Sequence, residues 1–426
     1  MKLRTIEKGF AGVALFLSTG ALLPLLFGDS AADTGEVVPN RIIQGIWSVV
    51  YVITVLLLLK RWKASVRLIV SDKLLMSLII LAVASILWSS ATAITLRRLI
   101  ALIGTSAVGV YLAQRFTLRE MLGILACALG VAAILSIVFA IAVPQLGIMS
   151  GTHEGAWRGI FVHKNHLGRY MALGAVVLSL LSDRREIGIV YKIGIVLCSI
   201  LILLSTSKSA LLVLGGAVLG IWYLRGVRMD VRVLVPYVIV GFLIAGSIAA
   251  WVALEYTDIL QALGRDPTLT GRTVLWSLLI DAIGRRPWLG YGYDAFWTGW
   301  TGESGAVWQV LQWMAPHAHN GYLELCLNLG IVGLSLFLAS FSKITLNAIS
   351  WARASRETIG LWPMALLMFI AVYSISESVI MQRNNIFWIL YVDIAMRVAM
   401  TGRLRLRQRE QAEGGSLSDH AVMPMV

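Results

Sequence analysis

Charged residues are scarce in this chain. Only 14% of its 426 residues are Asp, Glu, Lys or Arg, whereas a soluble domain carries about 25%. The sequence therefore excludes a large water-soluble domain. Hydrophobic residues make up 58% of the chain. Apolar runs of roughly 20 residues, long enough to cross a bilayer core, recur from end to end.

Cysteine and acidic residues are also few. Cys127, Cys198 and Cys326 all lie in apolar runs without Cys-x-x-Cys spacing, which excludes a disulfide framework and a cysteine zinc site. The shortage of acidic residues leaves a net charge of +13. In a soluble protein that excess would suggest nucleic acid. Because cytoplasmic loops of membrane proteins collect Lys and Arg, we expect instead a membrane protein that binds no nucleic acid.

Apolar runs mark candidate transmembrane helices along the whole chain. Helices are expected because they satisfy their own backbone hydrogen bonds in lipid. We predict an all-α polytopic fold, with residues 1–426 forming a single integral membrane domain of about twelve spans. The first run follows Lys2, Arg4 and Lys8 and is interpreted as an uncleaved helix. The predicted spans lie near residues 9–28, 42–59, 74–95, 97–113, 120–146, 166–182, 187–205, 209–224, 233–254, 321–346, 362–381 and 385–400.

Loop charge predicts the orientation of these spans. Every second loop is basic, from the N-terminus to the arginines after residue 402, so both termini are predicted to face the cytoplasm. Residues 403–426 are interpreted as a disordered cytoplasmic tail. The same alternation places residues 255–320 outside, as a large periplasmic loop containing short helices.

Polar clusters gather on the outer side of this topology. Basic residues there run against the usual distribution and are costly at a membrane boundary, so we expect them to be functional. An anionic outer-leaflet ligand is the simplest explanation, and a lipid diphosphate would suit guanidinium groups. The outer basic residues are Arg158, Lys164, Lys208, Arg265, Arg272, Arg285, Arg286 and Arg383.

The loop at 255–320 is rich in tryptophan. Indole rings suit a membrane-interface belt and a sugar-binding surface equally, and both interpretations stay open. Residues 270–283 carry one apolar face and are predicted to be helical. Arg272 would lie in the first turn, where free backbone N–H groups also favour an anion. The tryptophans are Trp276, Trp288, Trp297, Trp300, Trp308 and Trp313.

His317 and His319 close this loop, and Asn320 precedes the next apolar run. They are either interfacial polar residues or acid–base groups, because imidazole titrates near neutral pH. His-x-His spacing would also allow a metal, but no suitably spaced carboxylate pair accompanies it, so we expect none. Further along the chain, Glu377 and Arg383 either belong to an outer polar cluster or form only a structural ion pair.

Two more segments concentrate polar groups beside apolar runs. The sequence WRGIFVHKNHLG is either a solvated loop or a donor cluster, and STSKS is either a helix–helix turn or a site that places Lys208 at the boundary. The first segment contributes Arg158, His163, Lys164, Asn165 and His166.

These motifs together resemble the O-antigen ligase and Wzy-type polymerase superfamily. HNGYLELCLNLGIVG at 319–333 matches the pattern His-Asn, nine residues, Gly, two residues, Gly. FVHKNHLG, TSKSALL, GRDPTLTGRTVLW and PWLGYGYDAFW are most similar to the exopolysaccharide-polymerase branch. The resemblance covers roughly Trp88 to Trp388.

The resemblance implies glycosyl transfer without a metal or other cofactor. The histidine of the family's His-Asn pattern falls on His319, the implied general base. The arginine of the family's long loop falls on Arg272, an implied diphosphate ligand. A further family arginine falls on Lys208, a departure that keeps the charge but loses the bidentate fork. The remaining candidate substrate-binding residues are Arg158, His163, Lys164, Asn165, Arg265, Asn320, Trp297, Trp300 and Arg383.

The expected function is polymerisation of undecaprenyl-diphosphate-linked repeat units into exopolysaccharide at the periplasmic face of a bacterial inner membrane. Expected partners are the lipid-linked oligosaccharide, membrane lipid, and chain-length regulator and export proteins. The first alternative is an O-antigen ligase acting on lipid A-core. A twelve-helix transporter is the second, but transporters tend to show repeated halves, which the sequence lacks.

Overall fold

The computed structural model describes residues 2–22, 41–182, 188–211, 214–216, 272–355 and 357–400. Within these ranges the chain is overwhelmingly helical, and its extended pairing is an isolated bridge between Ile148 and Trp157. The all-α prediction is confirmed. The α-helices are α1 (Lys2–Leu17), α2 (Arg41–Leu59), α3 (Trp62–Ile69), α4 (Lys73–Ala84), α5 (Thr92–Arg115), α6 (Leu118–Ala142), α7 (Pro144–Gly147), α8 (Lys164–Leu181), α9 (Gly188–Leu204), α10 (Arg272–Arg285), α11 (Glu303–Leu311), α12 (Gly321–Ala354) and α13 (Trp362–Tyr373), and residues 386–400 are also helical.

Four described helices, α2, α5, α6 and α12, are long and apolar enough to cross a membrane. The bent pair Trp62–Ile69 and Lys73–Leu87, at 92° to each other, would make a fifth if it is one broken span. The chain is therefore a multipass membrane protein, but the predicted count of twelve spans is not confirmed. Of the predicted spans, 233–254 lies outside the described residues and 209–224 lies largely outside them.

Side chains from the predicted polar clusters begin two of the helices. His163 caps α8, its Nδ1 accepting a hydrogen bond from the backbone N–H of Asn165 at 3.2 Å. Asn320 caps α12, accepting from the backbone N–H groups of Tyr322 and Leu323 at 3.0 and 3.1 Å. Each cap satisfies N–H groups that have no partner within their own helix. The polar clusters thus lie at helix N-termini.

Gly330 breaks α12 at the first glycine of the His-Asn pattern. Its φ of 64° is unfavourable for other residues, and a Cβ there would lie 2.2 Å from the backbone of Trp288. The break lets residues 287–292 approach α12: Tyr291 N–H donates to Leu327 O at 2.8 Å and Ile331 N–H to Pro287 O at 2.8 Å. The middle of the long loop is thereby fixed against α12.

A buried aromatic layer joins α8, α13 and the 386–400 helix. The Phe387 ring lies 6.1 Å from that of Tyr170, 5.1 Å from that of Phe369 and 6.0 Å from that of Tyr373, all nearly parallel. Such pairs contribute about 0.5–1.5 kcal/mol each beyond burial. Because Tyr373 ends α13, this layer holds the turn after α13 close to the start of α8.

Candidate active site

Two segments distant in sequence meet at Glu377, which lies in the turn after α13. Its carboxylate Oε2 is 3.4 Å from His319 Nδ1 and 3.9 Å from His317 Nε2, and its Oε1 is 3.4 Å from Arg272 Nη2. The side chain of Glu377 is only 8% exposed. One buried carboxylate therefore contacts Arg272, at the start of the described part of the long loop, and His317 and His319, at its end.

The hydrogen bonds of His317 define its tautomer. Its Nδ1 accepts from the backbone N–H of His319 at 3.1 Å, so the proton lies on Nε2, the nitrogen nearer Glu377. Burial, reinforced by the neighbouring His319, lowers the pKa of His317 to about 3. His317 is consequently a neutral ring at physiological pH that orients its neighbour.

His319 is held in an unusual backbone conformation. Its φ of 48° lies in the left-handed region, which a non-glycine residue occupies at a cost of about 1–3 kcal/mol. Its Nδ1 is buried and makes no hydrogen bond of normal geometry among the described residues, although Glu377 Oε2 is 3.4 Å away. If Nδ1 carries its proton toward Glu377, the Nε2 lone pair is left to accept a proton from substrate.

Arg272 begins the described part of α10, close to the first-turn position predicted for it. Its Nη1 donates to the carbonyl of Ser376 at 3.1 Å and its Nη2 donates to Glu377 at 3.4 Å. The guanidinium thus bonds to two consecutive residues of the turn after α13. These contacts hold it beside the histidines, where it can oppose developing negative charge.

The neighbours of Glu377 favour its anionic form. Burial alone would raise the pKa of this carboxyl, but its contacts with His319, His317 and Arg272 lower the pKa by more, so it lies below the ordinary value. A buried anion next to an imidazole stabilises the imidazolium that forms when the ring accepts a proton. The arrangement can therefore perform general base catalysis.

A second polar group joins the start of α8 to the turn after α9. Lys164 Nζ donates to Thr206 Oγ1 at 3.1 Å, and Ser207 Oγ donates to Asn165 Oδ1 at 3.1 Å. Lys208 follows directly and is exposed. Burial, with the neighbouring His153, lowers the pKa of His163 to about 4, so this ring is a neutral cap. The sequence segments 163–165 and 205–208 thus form one surface.

Two predicted substrate-binding arginines lie in other interactions. Arg158 is buried, and it donates from Nε to Leu146 O at 2.9 Å and from Nη2 to Gln145 O at 3.3 Å. Arg383 Nε lies 3.1 Å from Asp294 Oδ2, which also faces Arg98 at 3.6 Å. Of the two interpretations of Glu377 and Arg383, the mutual ion pair is excluded, because folding gives each of them another partner.

The two tryptophans predicted to bind substrate differ in burial. Trp297 is buried, and its Nε1 donates to both carboxylate oxygens of Glu324 at 3.0 and 3.2 Å, so its faces are not open to a sugar. Trp300 is 50% exposed. A third indole, Trp313, has its ring centre 6.3 Å from that of His319 and is partly exposed.

Of the other predicted site residues, Asn320 serves as the cap of α12 and Arg265 lies outside the described residues. The structure adds two residues to the candidate site. Local sequence pairs Glu377 with Arg383 and not with the histidines, and no motif of the sequence marks Arg169. Arg169 is buried, with its guanidinium carbon 4.7 Å above the Tyr170 ring and 5.8 Å above the Tyr373 ring. A lone arginine inside an apolar span was the signal that could have identified it.

The histidine–glutamate group also has the composition of a metal site. The ligand atoms of His317, His319 and Glu377 all lie within 4.8 Å of one another. Carboxylates near His317 and His319 in sequence do not suggest a metal site, but Glu377 joins the two histidines from another part of the chain. The Arg272 charge on the same carboxylate opposes a divalent cation at this position. Independence from metal therefore stays a prediction.

Residues 193–338 match the O-antigen ligase family. Over this segment the chain is similar to O-antigen ligases. It is 32% identical over 205 residues to "Exopolysaccharide production protein ExoQ" of Rhizobium meliloti (strain 1021), which covers 44% of this chain and 45% of that protein. It is 29% identical over 193 residues to "Putative polysaccharide ligase RP358" of Rickettsia prowazekii (strain Madrid E), covering 42% and 47%. Each match spans less than half of the relative's length.

The resemblance to this family that the motifs indicated is thus confirmed. The segment 193–338 includes Lys208, Arg272 and His319. Glu377 and residues 158–166 lie outside that segment. The fold nevertheless places Glu377 against His319, so the candidate site extends beyond the matched domain.

Proposed function

We propose that this protein is a metal-independent glycosyltransferase that polymerises undecaprenyl-diphosphate-linked repeat units into exopolysaccharide at the periplasmic face of the inner membrane. The observation that carries the proposal is the contact of Glu377 with both His319 and Arg272, each at 3.4 Å. This transfer needs a base and a cation. In the proposal His319 is the base and Arg272 is the cation, and each contacts a different oxygen of the Glu377 carboxylate.

The base acts on the acceptor. As the acceptor hydroxyl oxygen forms a bond to the anomeric carbon of the donor, its proton passes to His319 Nε2. Glu377 stabilises the resulting imidazolium, and His317 stays neutral. The proton is later released to solvent, so the histidine returns to its starting state.

The cations act on the leaving group. The bond between the anomeric carbon and the diphosphate oxygen breaks, and its electron pair leaves with the lipid diphosphate. Arg272 opposes this negative charge from one side of the cluster, with Lys208 as a second candidate. Guanidinium and ammonium groups would supply the stabilisation that a divalent metal supplies elsewhere.

An O-antigen ligase is the second candidate, and the family description favours it. Both reactions use the same donor, so Arg272 and His319 serve either one. They differ in the acceptor, which is a lipid-linked glycan for a polymerase and lipid A-core for a ligase. The similarity to the exopolysaccharide production protein supports the polymerase. Chain-length regulator and export proteins are the partners expected of that activity.

The test is transfer in vitro by the purified protein, with lipid-linked repeat units as donor and with or without lipid A-core. We expect a ladder of polymer without lipid A-core. Transfer that occurs only onto lipid A-core would establish the ligase instead. A deletion strain should lose long exopolysaccharide while still making single repeat units.

The same assay tests the base. His319→Ala should abolish transfer while the protein remains folded and membrane-inserted. His420→Ala is the control and should retain full activity, because His420 lies in the tail predicted to face the cytoplasm. Near-normal turnover of His319→Ala at neutral pH would move the base to another histidine.

A further inference from the structure

The six tryptophans of the long loop fall into two groups. Three use their indole N–H inside the protein: Trp276 donates to Ala318 O at 2.9 Å, Trp308 to Ala315 O at 3.0 Å, and Trp297 to Glu324. These rings build the loop. Exposed rings form the second group, in which Trp288 is 69%, Trp300 50% and Trp313 37% exposed.

Trp313 differs from the other exposed rings in its neighbour. Its ring centre lies 6.3 Å from that of His319, with 47° between the ring planes. Trp300 instead packs edge-on against Trp308, with ring centres 5.4 Å apart. The exposed indole of Trp313 therefore lies next to His319, the proposed base.

The position of Trp313 is fixed by its loop. Gln312 has a φ of 59° and ends α11 in the left-handed conformation, which turns the chain sharply before Trp313. Ala315 and Ala318 are fully buried, and their carbonyls accept the Trp308 and Trp276 bonds. The backbone on the C-terminal side of Trp313 is thus anchored while the ring stays accessible, as a preformed binding surface requires.

We propose that Trp313 is the acceptor-sugar platform of this enzyme. A pyranose of the acceptor stacks its C–H face on the exposed indole, which presents one of its hydroxyl groups to His319. The inference rests on the proposed function and deepens it, because it names the residue that selects and positions the acceptor. It moves the predicted sugar surface from Trp297 to the indole beside the base.

Kinetics separate this role from a donor role. The donor in this assay is a preformed polymer on lipid diphosphate, and the acceptor is a single lipid-linked repeat unit. Trp313→Ala should raise the KM for the acceptor about tenfold and leave the KM for the donor unchanged, since one aromatic stacking contact contributes about a factor of ten in affinity. Trp313→Tyr, which keeps a flat ring, should restore most of the acceptor affinity. Trp62→Ala, which removes an exposed indole outside the long loop, is the matched control and should leave both constants near wild type.

Binding is measured independently of transfer by saturation-transfer NMR. The probe is the oligosaccharide released by mild acid from the lipid-linked repeat unit, added to the full-length protein in detergent. Saturation of sugar C–H protons that is lost in Trp313→Ala and kept in Trp62→Ala supports the platform. Equal saturation in both variants, with unchanged acceptor KM, overturns it while polymerisation by the wild type leaves the proposed function intact. Trp313-dependent saturation without any transfer by the wild type would support the platform and refute the polymerase.

Discussion

Glu377→Gln removes one charge from the centre of the candidate site and almost nothing else. The amide keeps the size of the carboxyl and can still accept from Arg272, whose Nη2 is 3.4 Å from Oε1. What disappears is the anion 3.4 Å from His319 Nδ1. The variant therefore isolates the electrostatic support of the proposed imidazolium.

The size of the loss follows from the geometry. Two unit charges 3.4 Å apart interact by about 5 kcal/mol at an effective dielectric constant of about 20. The imidazolium is only partly formed in the transition state, and glutamine retains a dipole, so we expect roughly half of that value to be lost. About 2.7 kcal/mol corresponds to a 100-fold lower kcat, while the KM for the donor should stay within about twofold.

The assay is initial-rate transfer from a lipid-linked donor by purified variants whose thermal unfolding matches the wild type. Glu303→Gln is the control, because Glu303 also faces an arginine of the long loop, Arg286 at 3.8 Å, away from the histidines. It should retain full activity. If folded Glu377→Gln kept more than half of the wild-type kcat, the carboxylate would not support the base and the proposed mechanism would fail.

Four further experiments test the role of Arg272, the independence from metal, the membrane topology and the break at Gly330. Arg272→Lys should lower kcat nearly as much as loss of the base, since a point charge cannot reproduce the guanidinium fork; normal turnover would exclude a diphosphate contact. Excess chelator should leave activity unchanged, whereas loss with rescue by a divalent ion would assign the histidine–glutamate group to a metal. Trp300→Cys should react with a membrane-impermeant maleimide from the periplasmic side, and labelling only after permeabilisation would invert the topology. Gly330→Ala should lower the free energy of unfolding by at least about 3 kcal/mol, or prevent folding, because of the positive φ and the clash with Trp288. The control is Gly123→Ala, where nothing lies within 4 Å of the added Cβ, and it should change that free energy by less than about 1 kcal/mol. Thermal unfolding measures both.

Local patterns in the sequence were sufficient for the fold class and much of the site. Apolar run length predicts membrane helices because a bilayer imposes it. The His-Asn pattern identified His319, and the apolar face of residues 270–283 predicted the helix that carries Arg272, observed from Arg272 to Arg285. The number of spans was harder to predict, because runs such as α13 are apolar but too short by themselves to establish a crossing.

Tertiary structure decided how those residues are paired. Composition and periodicity alone determined that the chain is a helical membrane protein with cationic clusters, since both properties depend on neighbours along the chain. Which carboxylate meets which cation depends on long-range packing: the aromatic layer around Phe387 and the break at Gly330 bring Glu377 to His319 and Asp294 to Arg383. The same packing buries Trp297 and leaves Trp313 open beside the base, because identical side chains acquire different roles only from what surrounds them.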